Sequence, residues 1–196
     1  VTASNWGPVA TGTSLSRDVV LTVDAAGVYA PLAGQSVNIL NNFDNTRSQL
    51  LTISSAVGAA AYNLAAAAAL TPNPVILANQ REGGSAATML TVANTAAAGS
   101  FTEGLNASFG STAGSAVTNA GTISLLAGGA NNSSAMSVGV NTATAGAKSG
   151  TVAVDFVSDG SASSGLGLTA LGQQTVDVSG NVFRVATASA ALPAPV

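Results

Sequence analysis

The sequence predicts an all-β protein built from short antiparallel strands, arranged as a sandwich or a barrel. Apolar and polar residues alternate in short segments, which is the pattern of half-buried strands. Gly, Asn, Ser and Asp residues, which form turns, separate these segments. Helical periodicity is hard to find. Short, evenly spaced strands are typical of sandwiches and barrels, and the low aromatic content of 4% suits thin sheets packed face to face.

Three strands are predicted in the N-terminal portion, at 19–23, 36–40 and 50–54, because apolar residues recur there at alternate positions. The polar segment 41–49, which contains an Asn-rich run, separates the second strand from the third. We expect it to form a loop or the end of a longer hairpin.

Two prolines, Pro72 and Pro74, mark the clearest internal boundary. Proline disfavours continued strand pairing and stiffens a connection. We therefore divide the chain into an N-terminal β-rich portion (1–72), a main domain (73–190) and a Pro-containing tail (191–196).

The main domain is predicted to contain a further series of strands separated by turns. The strands are 74–78, 87–93, 105–110, 121–125, 134–140, 150–157 and 174–185. Reversals are predicted at 127–132, 145–146, 158–160 and 179–181, where Gly, Asn, Ser and Asp residues lie between apolar segments.

Charge is sparse along the chain. There are five Lys and Arg residues, eight Asp and Glu residues, a net charge of −3, and no His or Cys. Cations scattered singly cannot neutralise a row of phosphates, so we expect no nucleic-acid partner. Weak repulsion between copies favours association. The alanine-rich segment 56–70 is too short and too interrupted to span a membrane, so no membrane span is expected.

Catalytic and metal-binding residues are not expected. Asp155 and Asp159 flank one strand end, but the simpler interpretation is that Asp155 points outward and Asp159 caps a turn. Glu82 and Glu103 lie in separate loops. A serine nucleophile would lack a histidine base, and calcium, the metal best matched to the oxygen ligands present, would lack an Asp-x-Asp-x-Asp loop. We predict no enzyme, no cofactor and no metal.

The aromatic side chains are spread along the chain, which argues against a sugar-stacking platform. Phe109, Phe156 and Phe183 fall within predicted strands and are expected to anchor the core. Trp6 and Phe43 lie in polar segments, so we expect them at contacts between subunits.

The main domain carries a set of strand and turn motifs, namely Leu90-Thr-Val-Ala-Asn-Thr-Ala96, Phe101-Thr-Glu-Gly-Leu-Asn-Ala-Ser-Phe-Gly110, Ile123-Ser-Leu-Leu-Ala-Gly-Gly129, Val138-Gly-Val-Asn-Thr-Ala143, Ala145-Gly-Ala-Lys-Ser-Gly-Thr-Val152, Ser158-Asp-Gly160 and Val178-Ser-Gly-Asn-Val-Phe-Arg184. In these motifs it resembles the bacterial choice-of-anchor and PEP-CTERM-associated surface repeat proteins. The resemblance implies an immunoglobulin-like antiparallel β-sandwich on an exported, extracellular or cell-surface protein. It implies no catalytic residues.

The N-terminal portion matches only the second half of such a repeat, so the expected architecture is one complete repeat plus a partial one. A half-sandwich would leave a hydrophobic face and unpaired strand edges. Three explanations stay open: these strands complete a sandwich with another subunit, the chain is a piece of a longer tandem array, or the portion forms a small sandwich of its own.

We therefore predict a non-enzymatic structural protein, extracellular or on the cell surface, that assembles as a homo-oligomer or polymer. A fibre or layer would form through β-strand complementation and sheet-edge contacts. The predicted contact residues are Trp6, Val19, Leu21, Val23 and Phe43. The alternative is an adhesin-type binding module that recognises a surface glycan or a cell-surface partner. A β-solenoid with a flat binding face would need a regular short repeat, which the sequence lacks.

Overall fold

The computed structural model describes residues 10, 13, 23–30, 36–40, 48–52 and 58–189. Within these ranges the regular elements are strands and none is a helix, which confirms the all-β prediction. The strands are β1 (Gly27–Tyr29), β2 (Ser36–Leu40), β3 (Ser48–Thr52), β4 (Ala59–Ala61), β5 (Val75–Ile76), β6 (Gln80–Arg81), β7 (Ala87–Met89), β8 (Val92–Ala93), β9 (Gly104–Gly114), β10 (Ala116–Thr118), β11 (Thr122–Leu126), β12 (Asn131–Asn132), β13 (Ser137–Val140), β14 (Gly146–Asp159) and β15 (Leu168–Phe183). The described part of the chain holds no helix with the length and apolar character needed to cross a membrane.

The chain divides into two compact units, residues 1–61 and 62–196. In the first unit β1 pairs with β4 and β2 pairs with β3, both antiparallel. In an antiparallel hairpin the numbers of two paired residues have a constant sum, and this sum is 88 in both ladders. The two ladders therefore share the register of one hairpin.

The second unit is built around a sheet of strand order β11-β9-β14-β15-β5. β14 and β15 form a long central hairpin, whose register runs from Gly146 opposite Val182 to Asp159 opposite Leu168. β9 and then β11 extend the sheet antiparallel on the β14 side. On the other side β5 and β6 run parallel to β15 and pair only with its second half, at 178–179 and 182–183.

A second layer contains a three-stranded sheet of order β10-β13-β7 and a short antiparallel pair of β12 with β8. β13 contacts both β14 and β15 of the first sheet. The extended segment 63–71 joins the second layer through isolated bridges from Asn63 to Thr102, Ala67 to Asn94 and Thr71 to Thr91. After the cis peptide bonds before Pro72 and Pro74, the chain pairs with the first sheet as β5.

In the second unit, side-chain alternation directs one face of each layer into a shared core. In β15, Val176 and Val178 are buried whereas Thr175 and Asp177 are exposed. All residues of β13 are buried. The largest fully buried side chains are Leu90, Leu105, Met136, Val75, Val92, Val138, Val152, Val154, Val176, Val178, Asn94 and Ser158. Each aliphatic side chain that is fully buried stabilises the fold by about 1.5–3 kcal/mol.

The sequence predicted the presence of most strands better than it predicted where they begin and end. β2 has the predicted bounds, whereas β3 begins two residues earlier than expected. Segment 87–93 is divided between β7 and β8. β9 and β14 extend beyond both predicted ends, and β15 begins six residues earlier than predicted and ends two residues earlier. The added residues, mostly glycine and small or polar residues, pair with a neighbouring strand.

Two expectations about the end of β15 were wrong. The reversal predicted at 179–181 lies inside the strand, where Ser179 is opposite Ser149 and its carbonyl accepts the Leu77 N–H at 2.8 Å. Pairing on both sides thus overrides the local turn preference. Phe183 is 53% exposed, because it follows the buried Val182 and points to the opposite face. Phe156 is buried, as predicted.

Candidate functional site

Four of the described carboxylates, those of Glu82, Glu103, Asp155 and Asp159, take part in structural hydrogen bonds or ion pairs. Asp155 points outward, as predicted, and accepts a hydrogen bond from Gln173 Nε2 at 2.7 Å. Glu82 lies 3.5 Å from Arg184 at the surface and accepts the Ala145 N–H at 2.6 Å. Across the ranges that the structure describes, no three His, Cys, Asp or Glu side chains are grouped so as to hold a metal ion.

Glu103 is a buried carboxylate that the sequence did not distinguish from the exposed ones. Its side chain is 2% exposed and accepts hydrogen bonds from the hydroxyls of Ser158, at 2.7 Å, and Ser164, at 2.5 Å. The Ser158 hydroxyl in turn accepts the Ala65 N–H at 2.8 Å. Glu103 therefore ties the turn after β14 and the segment 63–71 to the start of β9, and we assign it a structural role.

Asp159 caps the turn after β14, as predicted. One carboxylate oxygen accepts the Ser161 N–H at 2.9 Å and the other accepts a hydrogen bond from Asn106 Nδ2 at 2.8 Å. The hydrogen bonds from Ser161, and then that from Asn106, favour the ionised form and hold the pKa of Asp159 below its ordinary value of 3.8. The ionised carboxylate thus stabilises the start of the connection to β15.

The surface best suited to an interaction is the outer edge of β15 between residues 168 and 174, which we call the open edge. Its other side pairs with β14 along the whole hairpin. Next to the open edge, the Asn73 side chain donates to the Thr175 carbonyl at 2.9 Å and accepts the Asp177 N–H at 3.1 Å. Beyond that point no strand among the described residues pairs with this side of β15.

A cleft of about 220 Å³ lies beside the open edge. Residues 65–67 of the second layer and 171–174 of β15 line it, together with the buried Phe156. The Gln174 side chain links the two layers, since Oε1 accepts the Leu70 N–H at 3.0 Å and Nε2 donates to the Ala68 carbonyl at 2.9 Å. None of the lining residues is charged. The cleft therefore suits uncharged side chains better than ions.

Large apolar side chains are exposed at the start of β15. Leu168 is 69% exposed, and Leu166 in the preceding turn is 80% exposed. An unpaired strand edge that also carries exposed apolar side chains is a template for pairing with another strand.

Most of the predicted contact residues are not among the described residues. Trp6, Val19, Leu21 and Phe43 fall outside the described residues, and Val23 is half-buried and does not belong to a strand. Sequence reasoning missed the open edge because it placed the start of the last strand at residue 174. The available signal was the alternation of leucine and glycine at 165–168, which continues into an apolar pattern.

No protein-family model matches this sequence, and a search of curated proteins finds no significant match. The resemblance to choice-of-anchor and PEP-CTERM-associated surface proteins stays a prediction.

Proposed function

We propose that this chain is a non-enzymatic structural protein of the cell surface or extracellular space, which assembles into fibres or layers by pairing strands between copies. The observation that carries the proposal is the open edge with its adjoining uncharged cleft. An incoming strand would satisfy the backbone groups of 168–174, and its alternate side chains would enter the cleft.

We further infer that the second unit is a variant of the immunoglobulin-like sandwich. In support, the order β11-β9-β14-β15 matches the C′-C-F-G order of such domains, and β7 beside β13 matches B beside E. The variant feature is β10, which occupies the place of strand D beside β13 but precedes β11 in the chain. On this interpretation the sandwich is complete except at the open edge.

The energetic argument for assembly starts from the exposed edge. Backbone N–H and C=O groups on an unpaired strand are available to any chain that presents a strand, and natural proteins usually block such edges with charges, prolines or bulges. Residues 168–174 contain no charged residue and no proline. Both outer strands of the sheet have a register shift, β11 between Ile123 and Leu126 and β15 opposite 156–157, so the contrast between them rests on the uncharged cleft beside β15.

An adhesin would use a different surface. A groove of about 400 Å³ on the second sheet is lined by uncharged residues from 84–87, 117–119 and 137–142. It has no aromatic ring on which a sugar would stack. The open edge therefore supports assembly better than this groove supports glycan binding.

Neighbouring substitutions on the two faces of the open edge test the proposal. Thr169 is opposite Ser158, whose side chain points inward, whereas Ala170 is opposite Val157 and lies on the other face. Both residues are exposed. Thr169→Lys places a charge where the incoming strand would bury its side chains, so we expect it to abolish assembly. Ala170→Lys is the matched control and should still assemble.

Electron microscopy and analytical ultracentrifugation of the purified wild type and both variants measure the outcome. We expect polymers from the wild type and from Ala170→Lys, and dispersed subunits from Thr169→Lys. A wild type that stays monomeric at high concentration, or a Thr169→Lys variant that polymerises like the wild type, would contradict assembly through this edge. Saturable glycan binding by a monomeric wild type would favour the adhesin.

A further inference from the structure

We propose that the strand received by the open edge is residues 19–23 of a second copy of this chain. This inference rests on the proposed function and names the partner of the same site. It joins two parts of the sequence that lie in different units, the segment Val-Val-Leu-Thr-Val near the N-terminus and the start of β15.

The chemistry of the segment fits that of the cleft. In an extended strand Val19, Leu21 and Val23 share one face, and Val20 and Thr22 share the other. Three of these five residues are valines and one is threonine, the β-branched residues that strands favour. The segment has no charge, and neither has the cleft lining. It can therefore be buried there without leaving an unpaired charge.

The dimensions also agree. A cavity of about 150 Å³ accommodates benzene, so the 220 Å³ cleft has room for branched aliphatic side chains. At about 3.3 Å per residue, the open edge between 168 and 174 extends for roughly 20 Å. The segment 19–23 covers most of that length.

Donor and acceptor occupy different places in the chain, so each copy carries one of each. Such a contact is heterologous, and copies add head to tail without closing unless the rotation between them happens to form a ring. A segment that supplies a strand to a neighbour therefore explains growth into a fibre, which a symmetric contact of two open edges does not, since that contact ends at a dimer.

Face-specific substitutions in the full-length chain test the donor. Leu21→Lys places a charge on the face directed into the cleft, and the adjacent Thr22→Lys places the same charge on the outer face. We expect polymer to be lost with Leu21→Lys and retained with Thr22→Lys. Thermal unfolding, monitored by circular dichroism, checks that both variants are folded.

A mixing experiment identifies the partner directly. Leu21→Lys retains an intact open edge, and Thr169→Lys retains an intact donor segment. Neither should polymerise alone, but an equimolar mixture should form one-to-one heterodimers, detected by ultracentrifugation with one variant labelled.

The outcomes separate this inference from the proposed function. The inference is wrong, while assembly stands, if the wild type polymerises and Leu21→Lys and Thr22→Lys behave alike. It is also wrong if the wild type polymerises and the equimolar mixture stays monomeric. In either case the donor strand lies elsewhere. If the wild type does not polymerise, the proposed function fails, and this inference fails with it. A monomeric wild type destabilised by Leu21→Lys but not by Thr22→Lys would show that 19–23 pairs within its own chain, which also overturns it.

Discussion

Residues 168–174 and 176–183 belong to the same strand and pair with the same hairpin partner, β14, but they differ on the opposite side. The later half also pairs with β5 and β6, and its Val176, Val178 and Val182 are at most 2% exposed. The earlier half has no second strand partner among the described residues, and Leu168 is 69% exposed. Hydrogen bonding to one neighbour is therefore sufficient to extend β15 but not to bury it.

The difference between the halves has a sequence basis. The later half alternates valine with polar residues, which is suited to a buried face and a solvated face. The earlier half contains Gly172, whose φ of +95° accompanies a register shift opposite 156–157, and two consecutive glutamines. One of these, Gln174, hydrogen-bonds across the cleft to the second layer and so substitutes for part of a missing strand.

The two halves of β15 should differ most in how much the free energy of unfolding falls when one apolar side chain in each is truncated. Val178→Ala removes two methyl groups from a side chain that is 2% exposed, so the free energy of unfolding should fall by about 2 kcal/mol. Leu168→Ala should change it by less than about 0.5 kcal/mol, because the side chain is mostly in water. Urea unfolding of dispersed protein measures both. An equally large loss for Leu168→Ala would mean that this leucine is covered in the dispersed subunit.

A smaller effect is expected at the junction of the halves, where Asn73 provides one hydrogen-bond donor and one acceptor to the backbone of β15. Asn73→Ala removes both bonds and should lower the free energy of unfolding by about 1–2 kcal/mol. Asn73→Asp retains the acceptor for the Asp177 N–H but places a carboxylate oxygen against the Thr175 carbonyl in place of the donor, so its free energy of unfolding should also fall. Amide hydrogen exchange at Asp177 should accelerate in the alanine variant and stay closer to wild type in the aspartate variant. Unchanged exchange in both would show that Asn73 does not protect this end of the pairing.

Local alternation was sufficient to predict several of the strands. β2 and the buried segments of β13 and β14 were found because Val, Ile and Leu recur at every second position. The ends of β14 and β15 were not found, since they consist of Gly, Ser, Ala and Gln residues that are ordered by a neighbouring strand and not by their own preference. For the same reason Ser179-Gly180-Asn181 has the composition of a turn but lies in a strand.

The environment of single residues was harder to predict than the strands. Glu103 has no sequence feature that distinguishes it from the half-buried Glu82, because its donors Ser158 and Ser164 are more than fifty positions away in the chain. The open edge depends on where β5 begins and ends, which is a property of the sheet and not of residues 168–174. Asp159 was predicted correctly because its partner Ser161 is two residues away.

The smallest expected effect on stability comes from the turn that connects β14 to β15, and this effect depends on pH. Since the pKa of Asp159 is lowered in the fold by hydrogen bonds from Ser161 and Asn106, the ionised carboxylate stabilises the folded state at pH values above its ordinary pKa of 3.8. That contribution is lost as the pH falls through the lower, folded pKa.

Asp159→Asn should therefore reduce stability at neutral pH and weaken the dependence of stability on pH below about 4. Urea unfolding between pH about 6 and about 2 measures the slope for both proteins, and Asp177→Asn, at an exposed position, is the control. If Asp159→Asn retains the wild-type slope, the hydrogen bonds that Asp159 accepts from Ser161 and Asn106 do not account for the acid sensitivity of the fold.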